Sequence, residues 1–418
     1  MFKKFLIYLQ ISISLFLVIK FLSLKLNFDD SKFYFYTFNL FIKLIYINLI
    51  FIIFYKKKII RTYASITLIS LTLGFYISEC YLLIKKNSDS KFEVYENRLI
   101  NEKNLVVAIP PTNHFDQKNI LPLSGISNNL TLLCNENGYF SEYESDRYGF
   151  NNPDQAWEKK IDLFLVGDSF AHGACVNRPY DLASLLRNKT KKNVVSVAYG
   201  DNGPLFEFAS LKEYFQRPVK KVIWFYYEGN DLEGIIKEKK HPILIKYFQN
   251  QNYTQNIKSK QAIVDNLAKD LMTKAYLEHK KIKEDLYSKL ILFLKINEIR
   301  NLFIIKDTNI KHPNNFDELI KIINAANQFI VSNDADFFFV YLPEYSRYVS
   351  EKYNNTNYNN IKKKIKDLDI VFIDIVKFFS NKTEKDPKIF FAQQKPGSHY
   401  TKEGYALIAN QLVLNINN

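Results

Sequence analysis

The N-terminal part of the chain contains three long apolar runs, at residues 5–24, 33–55 and 63–84. Each run is long enough to cross a bilayer core of about 30 Å at a rise of about 1.5 Å per residue. A buried helical core is the alternative interpretation, but three runs bunched at one end favour transmembrane helices. Their repetition also does not fit a cleaved signal peptide. We therefore predict a membrane anchor of three transmembrane helices over residues 1–84.

Basic residues between the apolar runs predict how the anchor is oriented. Lys3 and Lys4 precede the first run, and Lys56–Lys58 separate the second run from the third. The positive-inside rule then places the N-terminus in the cytoplasm and everything after the third run outside. The prediction is a multi-pass protein of the cell inner membrane with a periplasmic or extracellular domain. Lys43 lies mid-run, where a charge costs roughly 2.5–3.5 kcal/mol, so it should face a partner helix or a wet cavity, unless the second span is misplaced.

The rest of the chain has a different pattern. Residues 85–118 are polar and charged and are predicted to be a linker, and a turn-rich lead-in follows at 120–157. Short apolar runs typical of buried strands then occur at 161–166, 193–198, 219–227, 337–342 and 371–375. Segments that suit helices alternate with them at 181–188, 205–215, 316–331 and 403–415. This alternation predicts an α/β domain over 119–418, with a parallel sheet covered by helices on both faces.

A long helical stretch at about 256–297 interrupts this alternation and is predicted to be an insertion. It is a candidate cover for a site or a candidate dimer surface, and nothing else in the sequence indicates the oligomeric state. In open parallel sheets, sites form beyond the carboxyl ends of the strands. Those strand ends are therefore where chemistry is expected.

Composition changes this interpretation only slightly. The formal net charge is +14, which can attract nucleic acid, anionic lipid or acidic glycan. No nucleic-acid-binding motif accompanies the charge, so we expect no nucleic-acid partner and interpret the excess lysine as solvated surface. Cys80 lies in an apolar run, whereas Cys134 and Cys175 lie in the predicted outer domain without metal-ligand spacing. A disulfide between these two and a pair of separate buried thiols both remain open, and nothing indicates a metal or organic cofactor.

Four strand or helix junctions carry residues that suit nucleophilic catalysis. Ser169 directly follows the first predicted strand, Gly200 follows the second, Asn230 follows the third, and His399 precedes the last predicted helix. A serine becomes a useful nucleophile only when a base takes its proton and fixed donors stabilise the oxyanion. Each residue alone has an ordinary alternative: a helix N-cap for Ser169 and Asn230, a turn glycine, and a chance histidine.

Taken together and in this order, the four junctions resemble the four sequence blocks of the SGNH hydrolase superfamily, also called GDSL hydrolases. The resemblance covers roughly residues 161–414 and implies a flavodoxin-like, three-layer α/β/α domain. It implies that Ser169 is the nucleophile and first oxyanion donor, and that His399 is the base. It further implies that Gly200 and Asn230 are oxyanion donors, and that Asp168 orders the nucleophile turn.

The chain departs from the superfamily pattern at two positions. Glu228 stands where the third block usually has glycine. Pro396 occupies the position three residues before the histidine, where the family's acid normally lies. The chain therefore has a Ser–His dyad, a backbone carbonyl in place of the acid, or an acid from elsewhere. Asp386 and Glu344 are the candidate acids, although each also suits a structural role.

Three functions are compatible with this sequence. The first is a serine esterase that removes acyl groups, with acetyl as the expected group, from a cell-envelope glycan or lipid. The second is an O-acyltransferase that passes the acyl group from the same acyl-enzyme to a surface polysaccharide, which would need a separate donor protein. The third is a non-catalytic glycan-binding protein that kept the fold, as the missing acid suggests. The expected partners are therefore the lipid bilayer and an acylated glycan or lipid.

Overall fold

The computed structural model describes residues 57–85, 90–114, 119–302, 315–350, 353–381 and 386–416, with the isolated positions 43, 46–48 and 50. The first predicted span and all but those isolated positions of the second lie outside the described residues. Internal contacts divide the chain into two compact units. One unit comprises residues 1–89 and 279–307 and is called the anchor unit after the predicted membrane anchor. The other comprises 90–278 and 308–418 and is called the catalytic-fold unit after its predicted role.

The elements are numbered here in chain order within the described residues. The helices are α1 (Lys58–Lys85), α2 (Lys91–Leu99), α3 (Ser169–His172), α4 (Leu182–Thr190), α5 (Pro204–Tyr214), α6 (Asp231–Glu238), α7 (Pro242–Gln249), α8 (Gln261–Glu284), α9 (Leu286–Leu294), α10 (Asn297–Leu302), α11 (Phe316–Val331), α12 (Thr356–Asp367), α13 (Ile375–Asn381) and α14 (Lys402–Ile416). The strands are β1 (Leu105–Val107), β2 (Leu130–Leu132), β3 (Glu142–Glu144), β4 (Ile161–Val166), β5 (Val194–Ser196), β6 (Val219–Tyr227), β7 (Asp336–Leu342) and β8 (Val371–Asp374).

A five-stranded sheet forms the centre of the catalytic-fold unit. Its strand order is β5-β4-β6-β7-β8, and every neighbouring pair is parallel. These strands are the five apolar runs predicted from the sequence, so the α/β prediction with a parallel sheet is confirmed. Near-continuous apolar runs such as that of β6 are expected when both faces of a parallel strand are buried.

Alternate residues of each strand point to opposite faces of this sheet. Trp224 and Phe339 belong to one buried cluster, whereas their chain neighbours Phe225 and Val340 belong to another. Helices α5, α11 and α12 contribute to the first cluster, and α4, α13 and α14 contribute to the second. The unit therefore has three layers, and the sheet edge where β4, β5 and β6 end is left open for the loops that follow them.

The predicted linker is partly folded, which corrects the prediction for residues 85–118. Ser90 and Glu93 form a capping box in which each side chain accepts a hydrogen bond from the other residue's backbone N–H. Phe92 and Tyr95 of α2 are buried, and β1 pairs with β2 in a separate three-stranded sheet. The segment was interpreted as a linker because polar and charged residues separate its short apolar groups.

Within the anchor unit, α1 is long and apolar enough to cross a membrane by length and composition over its 27 residues from Lys58 to Ile84. This helix covers the third predicted span. Tyr46, which lies in the second predicted span, shares a hydrogen bond of 3.0 Å with Thr72 of α1. Membrane association is thus supported for one helix in the described part of the chain.

The helical insertion also differs from its prediction. Its helices α8 to α10 run from Gln261 to Leu302, past the predicted end at 297. Residues 279–307 group with α1 rather than with the sheet. The contact-based division therefore assigns residues 279–307 of the predicted domain over 119–418 to the same unit as α1.

Candidate active site

The turn that carries Ser169, the predicted nucleophile, is fixed by close packing at the end of β4. Gly167 has φ +156°, and a Cβ at this position would lie 2.6 Å from the Cβ of Ala171, so only glycine fits. Asp168 is fully buried and its carboxylate accepts a 2.8 Å hydrogen bond from the backbone N–H of Phe170. This bond caps α3 and holds Ser169, which remains partly exposed, at its first residue.

Ser169 and His399 lie within hydrogen-bond distance although 230 residues separate them. The Oγ of Ser169 is 2.8 Å from Nε2 of His399. On the other side of the ring, Nδ1 lies 3.0 Å from Oε1 of Glu136. The second carboxylate oxygen of Glu136 accepts a 2.7 Å bond from the backbone N–H of His399. A serine, an imidazole and a carboxylate are therefore in line, and the carboxylate contacts both the ring and the backbone of the histidine.

Glu136 was not among the predicted acids, and the fold delivers it from the loop between β2 and β3. That loop is closed by two 2.8 Å backbone bonds between residues 133–134 and Ser141. Cys134 forms a disulfide with Cys175, and Asn137 donates a 2.9 Å bond to the Cys175 carbonyl. Of the two alternatives left open for these cysteines, the structure has the disulfide. It ties the Glu136 loop to the segment that follows Ser169.

The double variant Cys134→Ser/Cys175→Ser is expected to lose about 4 kcal/mol of stability, because the disulfide closes a loop with a sequence separation of 41 residues. For a unit of this size the melting temperature should fall by about 6 °C. Differential scanning fluorimetry of the purified protein measures this change. Cys80→Ser is the matched control, since Cys80 is free and exposed. An equal melting temperature in the double variant and the control would contradict the prediction.

His399 is held by a short hairpin-like loop. Phe391 and Tyr400 form an isolated antiparallel bridge, and the backbone N–H of Ala392 donates a 2.8 Å bond to the His399 carbonyl. The imidazole also packs on the ring of Phe170, with centroids 4.7 Å apart. The ring orientation is therefore set from three sides, by the hairpin, by Phe170 and by Glu136.

The predicted oxyanion donors also converge on this edge of the sheet. A Cβ on Gly200 would lie 4.0 Å from the Cβ of Ser169, so the Gly200 backbone borders Ser169. The Nδ2 of Asn230 is 3.3 Å from the Asp168 carboxylate. This nitrogen carries a second hydrogen, which is the one that an oxyanion would use. The three junctions predicted to contribute donors thus meet where β4, β5 and β6 end.

The two acids proposed from the sequence do not contact His399. The Glu344 carboxylate accepts a 2.7 Å bond from the Tyr353 hydroxyl, and Asp386 pairs with Lys388 at 2.9 Å. Glu228, the residue that departs from the family pattern, is buried and holds Arg347 through two guanidinium nitrogens. Glu228 therefore joins the ends of β6 and β7 and takes no place beside the serine.

Charges around the site are shaped by burial and by hydrogen bonds. Burial raises the pKa of Asp168 to about 6, against hydrogen bonds that lower it. Burial also raises the pKa of Glu136, but the hydrogen bonds and charge of His399 outweigh it and the pKa lies below its usual value of 4.5. Glu136 is thus an ionised partner for the imidazole at neutral pH, as the steadying carboxylate of a catalytic histidine must be.

Burial raises the pKa of Glu238 to about 7, although backbone hydrogen bonds from Leu205 and Gly203 act in the opposite direction. A folded-state pKa above the unfolded value means that the fold prefers the protonated acid, so stability falls as pH rises from about 4.5 to about 7. The free energy of unfolding of Glu238→Gln lacks this pH dependence. Its difference from the wild-type value should therefore rise by about 3 kcal/mol as the pH goes from 4 to 8. Denaturant unfolding at several pH values measures this, with the exposed Glu233→Gln as control. A pH-independent difference would contradict the prediction.

A small cleft of about 80 Å³ continues from Asn230. It is lined by hydroxyl, amide, carboxylate and ammonium groups as well as backbone, from Thr112, Asp201, Asn202, Gly203, Asn230, Glu233, Gly234, Lys237 and Glu238. Both polar atoms of the Asn202 side chain are buried without a hydrogen-bond partner in the described part of the chain. The cleft has room for a few atoms only, so it suits one polar group of a larger ligand.

One cluster of possible metal ligands occurs in the described ranges, formed by Glu136, Cys175 and His399. Cys175 is in a disulfide and cannot supply a thiolate. His399 already directs its two nitrogens to Glu136 and Ser169. The donor set therefore fits an acid–base pair better than a metal centre.

No protein-family model and no curated protein matches the chain. Among solved structures it is similar to a protein assigned to the G-D-S-L lipolytic family from Desulfitobacterium hafniense, at 14% identity and a TM-score of 0.32, over 60% of this chain and 98% of that one. It is also similar to the YXIM protein of Bacillus subtilis, at 11% identity and a TM-score of 0.33, over 62% and 56%. An acetyl xylan esterase shows 12% identity and a TM-score of 0.32, over 61% and 100%.

These identities and TM-scores are low. The features that bear on the chemistry of this chain are therefore those of its own geometry. The parallel sheet has the serine turn at the end of β4 and the glycine and asparagine at the ends of β5 and β6. The histidine precedes α14 and meets the serine at hydrogen-bond distance. The chain thus has the parallel sheet and the residue arrangement that its resemblance to the SGNH, or GDSL, hydrolases implied.

Proposed function

We propose that the protein is a membrane-anchored serine esterase that removes acyl groups from a cell-envelope glycan or lipid. The observation that carries this proposal is the alignment of Ser169 Oγ, the His399 ring and the Glu136 carboxylate, at 2.8 and 3.0 Å. Each distance is within the range expected for a nucleophile, its base and the group that orients the base. A non-catalytic protein was considered because the sequence lacks an acid three residues before His399. In the structure, Glu136 lies where such an acid would contact the imidazole.

In the proposed reaction, Ser169 Oγ attacks the ester carbonyl while Nε2 of His399 takes the hydroxyl proton. The negative charge on the former carbonyl oxygen is stabilised by the backbone N–H groups of Ser169 and Gly200 and by Nδ2 of Asn230. His399 then gives its proton to the leaving alcohol, and an acyl-enzyme remains. Water, deprotonated by the same imidazole, attacks this ester. The acyl–Oγ bond then breaks, His399 returns the proton to Ser169 Oγ, and the acid is released. Glu136 keeps the ring oriented and stabilises its cation throughout.

The envelope location is supported by two further observations. The 27-residue apolar helix would attach the protein to a membrane. The disulfide between Cys134 and Cys175 suits an oxidising compartment outside the cytoplasm. A substrate confined to the same envelope follows from such an anchor. The hydroxyl, amide and charged side chains that line the cleft beside Asn230 could bind a hydroxyl group of a glycan.

The direct test is to incubate the purified full-length protein with an activity probe and with acetylated glycans. A serine-directed fluorophosphonate is expected to label the wild type and to leave Ser169→Ala unlabelled. Acetate released from an O-acetylated glycan, measured enzymatically, should be the main product. A label that persists in Ser169→Ala would overturn the assigned nucleophile. If added acceptor glycan became acylated faster than acetate appeared, the protein would be a transferase instead.

A further inference from the structure

The tip of the insertion, defined here as residues 286–302 with helices α9 and α10, has an unusual surface. Helix α9 buries none of its residues. Five of its large apolar side chains are instead 47–77% exposed, and these are Leu286, Tyr287, Leu290, Leu292 and Leu294. A helix on the surface of a water-soluble protein normally turns an apolar stripe toward the core. The exposed apolar side chains of α9 therefore need a partner other than water.

The insertion tip packs against the last third of α1. The Tyr76 hydroxyl donates a 2.9 Å bond to the Leu294 carbonyl, and the Tyr76 and Phe293 rings lie 5.2 Å apart. Tyr76 lies nine residues before the end of α1 at Lys85, which is about 14 Å along a helix axis. If α1 crosses a membrane with its end at the surface, this depth is about that of one leaflet. The tip would then lie at the level of the acyl chains.

A buried acid holds the two parts together. Glu79 of α1 is fully buried, and its carboxylate accepts bonds of 2.8 and 2.9 Å from the backbone N–H groups of Glu298 and Ile299. An acidic residue in an apolar span is costly unless it is paired or hydrogen-bonded. These two donors at the start of α10 satisfy it. The acid in α1 is thus accounted for by its contact with the insertion tip.

The exposed apolar surface of α9 is not isolated, because α1 exposes a similar surface in the same unit. Ile66, Ile69, Leu73 and Ile77 of α1 are 55–67% exposed. Exposed Lys289 and Lys295 bracket most of the apolar residues of α9. Lysines in such positions can extend to the headgroups while their stems stay in the apolar layer. Acyl chains around α1 would also reach α9, whereas a protein partner would have to displace that lipid.

We propose that the insertion tip is embedded in the bilayer beside α1, so that the chain enters the membrane again more than 200 residues after its anchor. This inference rests on the proposed membrane anchor and is independent of the chemistry at Ser169. The occupant of the exposed surface of α9 is lipid acyl chain. Lipids would thus contact the protein at the anchor and at the insertion.

The test uses full-length protein carrying Leu290→Trp, reconstituted in phosphatidylethanolamine and phosphatidylglycerol vesicles. Lipids brominated on their acyl chains quench only tryptophans that reach the apolar layer. Emission from Trp157 and Trp224 is measured in the wild type as background, since both are buried. The added emission in Leu290→Trp is expected to fall at least twofold with brominated lipid. Leu414→Trp, at an equally exposed leucine of the catalytic-fold unit, should be quenched by aqueous iodide and not by the lipid.

Two outcomes would overturn the inference while leaving the proposed function intact. Quenching of the new tryptophan by iodide alone would place the tip in water. Quenching by neither agent would mean that protein, such as a second copy of the chain, covers it. Vesicle flotation and fluorophosphonate labelling of the same sample report separately on the anchor and on Ser169. Failure to float would overturn the anchor and the tip together. Leu286→Trp gives a second reading if Leu290→Trp does not fold.

Discussion

Ser169→Ala is expected to lower kcat for ester hydrolysis by about 10⁶-fold, because nothing else at the end of β4 can form the acyl-enzyme. KM should change much less, since the serine hydroxyl contributes little to binding the ground state. Steady-state kinetics on a chromogenic acetyl ester measure the effect. Ser332→Ala, at an exposed serine after α11, is the matched control and should retain full activity.

A second comparison tests whether Ser169 and His399 act in the same catalytic step. His399→Ala should lose about as much activity as Ser169→Ala, and the double variant should lose no more than either single variant. Independent losses that multiplied in the double variant would indicate two unrelated contributions. A single variant that kept more than a hundredth of the wild-type kcat would remove the residue from the proposed mechanism.

Glu136→Gln is expected to lower kcat by about 10⁴-fold with the fold intact. Glutamine keeps the size of the side chain but presents no negative charge to the imidazolium, and its amide can favour the wrong tautomer of the ring. The 2.7 Å bond from the His399 backbone can persist to the remaining carbonyl oxygen, so the loop should stay in place. Kinetics together with the melting temperature separate the catalytic effect from a structural one.

The residues first considered for the acid provide the controls for Glu136. Asp386→Asn changes an exposed carboxylate that pairs with Lys388 and should alter kcat by no more than a few-fold. Glu344→Gln changes a buried carboxylate bonded to Tyr353, so its effect should appear in stability. If Asp386→Asn were as damaging as Glu136→Gln, the acid would have been assigned to the wrong residue.

The sequence predicts the sheet because the information for it is local. Each of β4 to β8 is a short apolar run bounded by turn residues, and a parallel sheet must bury both faces of such strands. Ser169, Gly200 and Asn230 could be placed together for the same reason, since the carboxyl ends of neighbouring parallel strands share one edge. The linker prediction failed where the signal was weak, in the three-residue strand β1 and the nine-residue helix α2.

The sequence alone determined the residues that follow the ends of neighbouring strands, which are Ser169, Gly200 and Asn230. What only the tertiary structure decided is the partner of His399, because Glu136 lies 263 residues away in the chain. The acid that orients His399 needs only to place an oxygen beside Nδ1, and it can lie at any distance along the chain. A loop from any part of the fold can therefore supply it. The positions of two cysteines could have indicated that Glu136 lies near Ser169. Cys134 is two residues before Glu136, Cys175 is six residues after Ser169, and the two cysteines are paired. Their pairing depends on a distance in space, and no sequence pattern in a single chain fixes that distance.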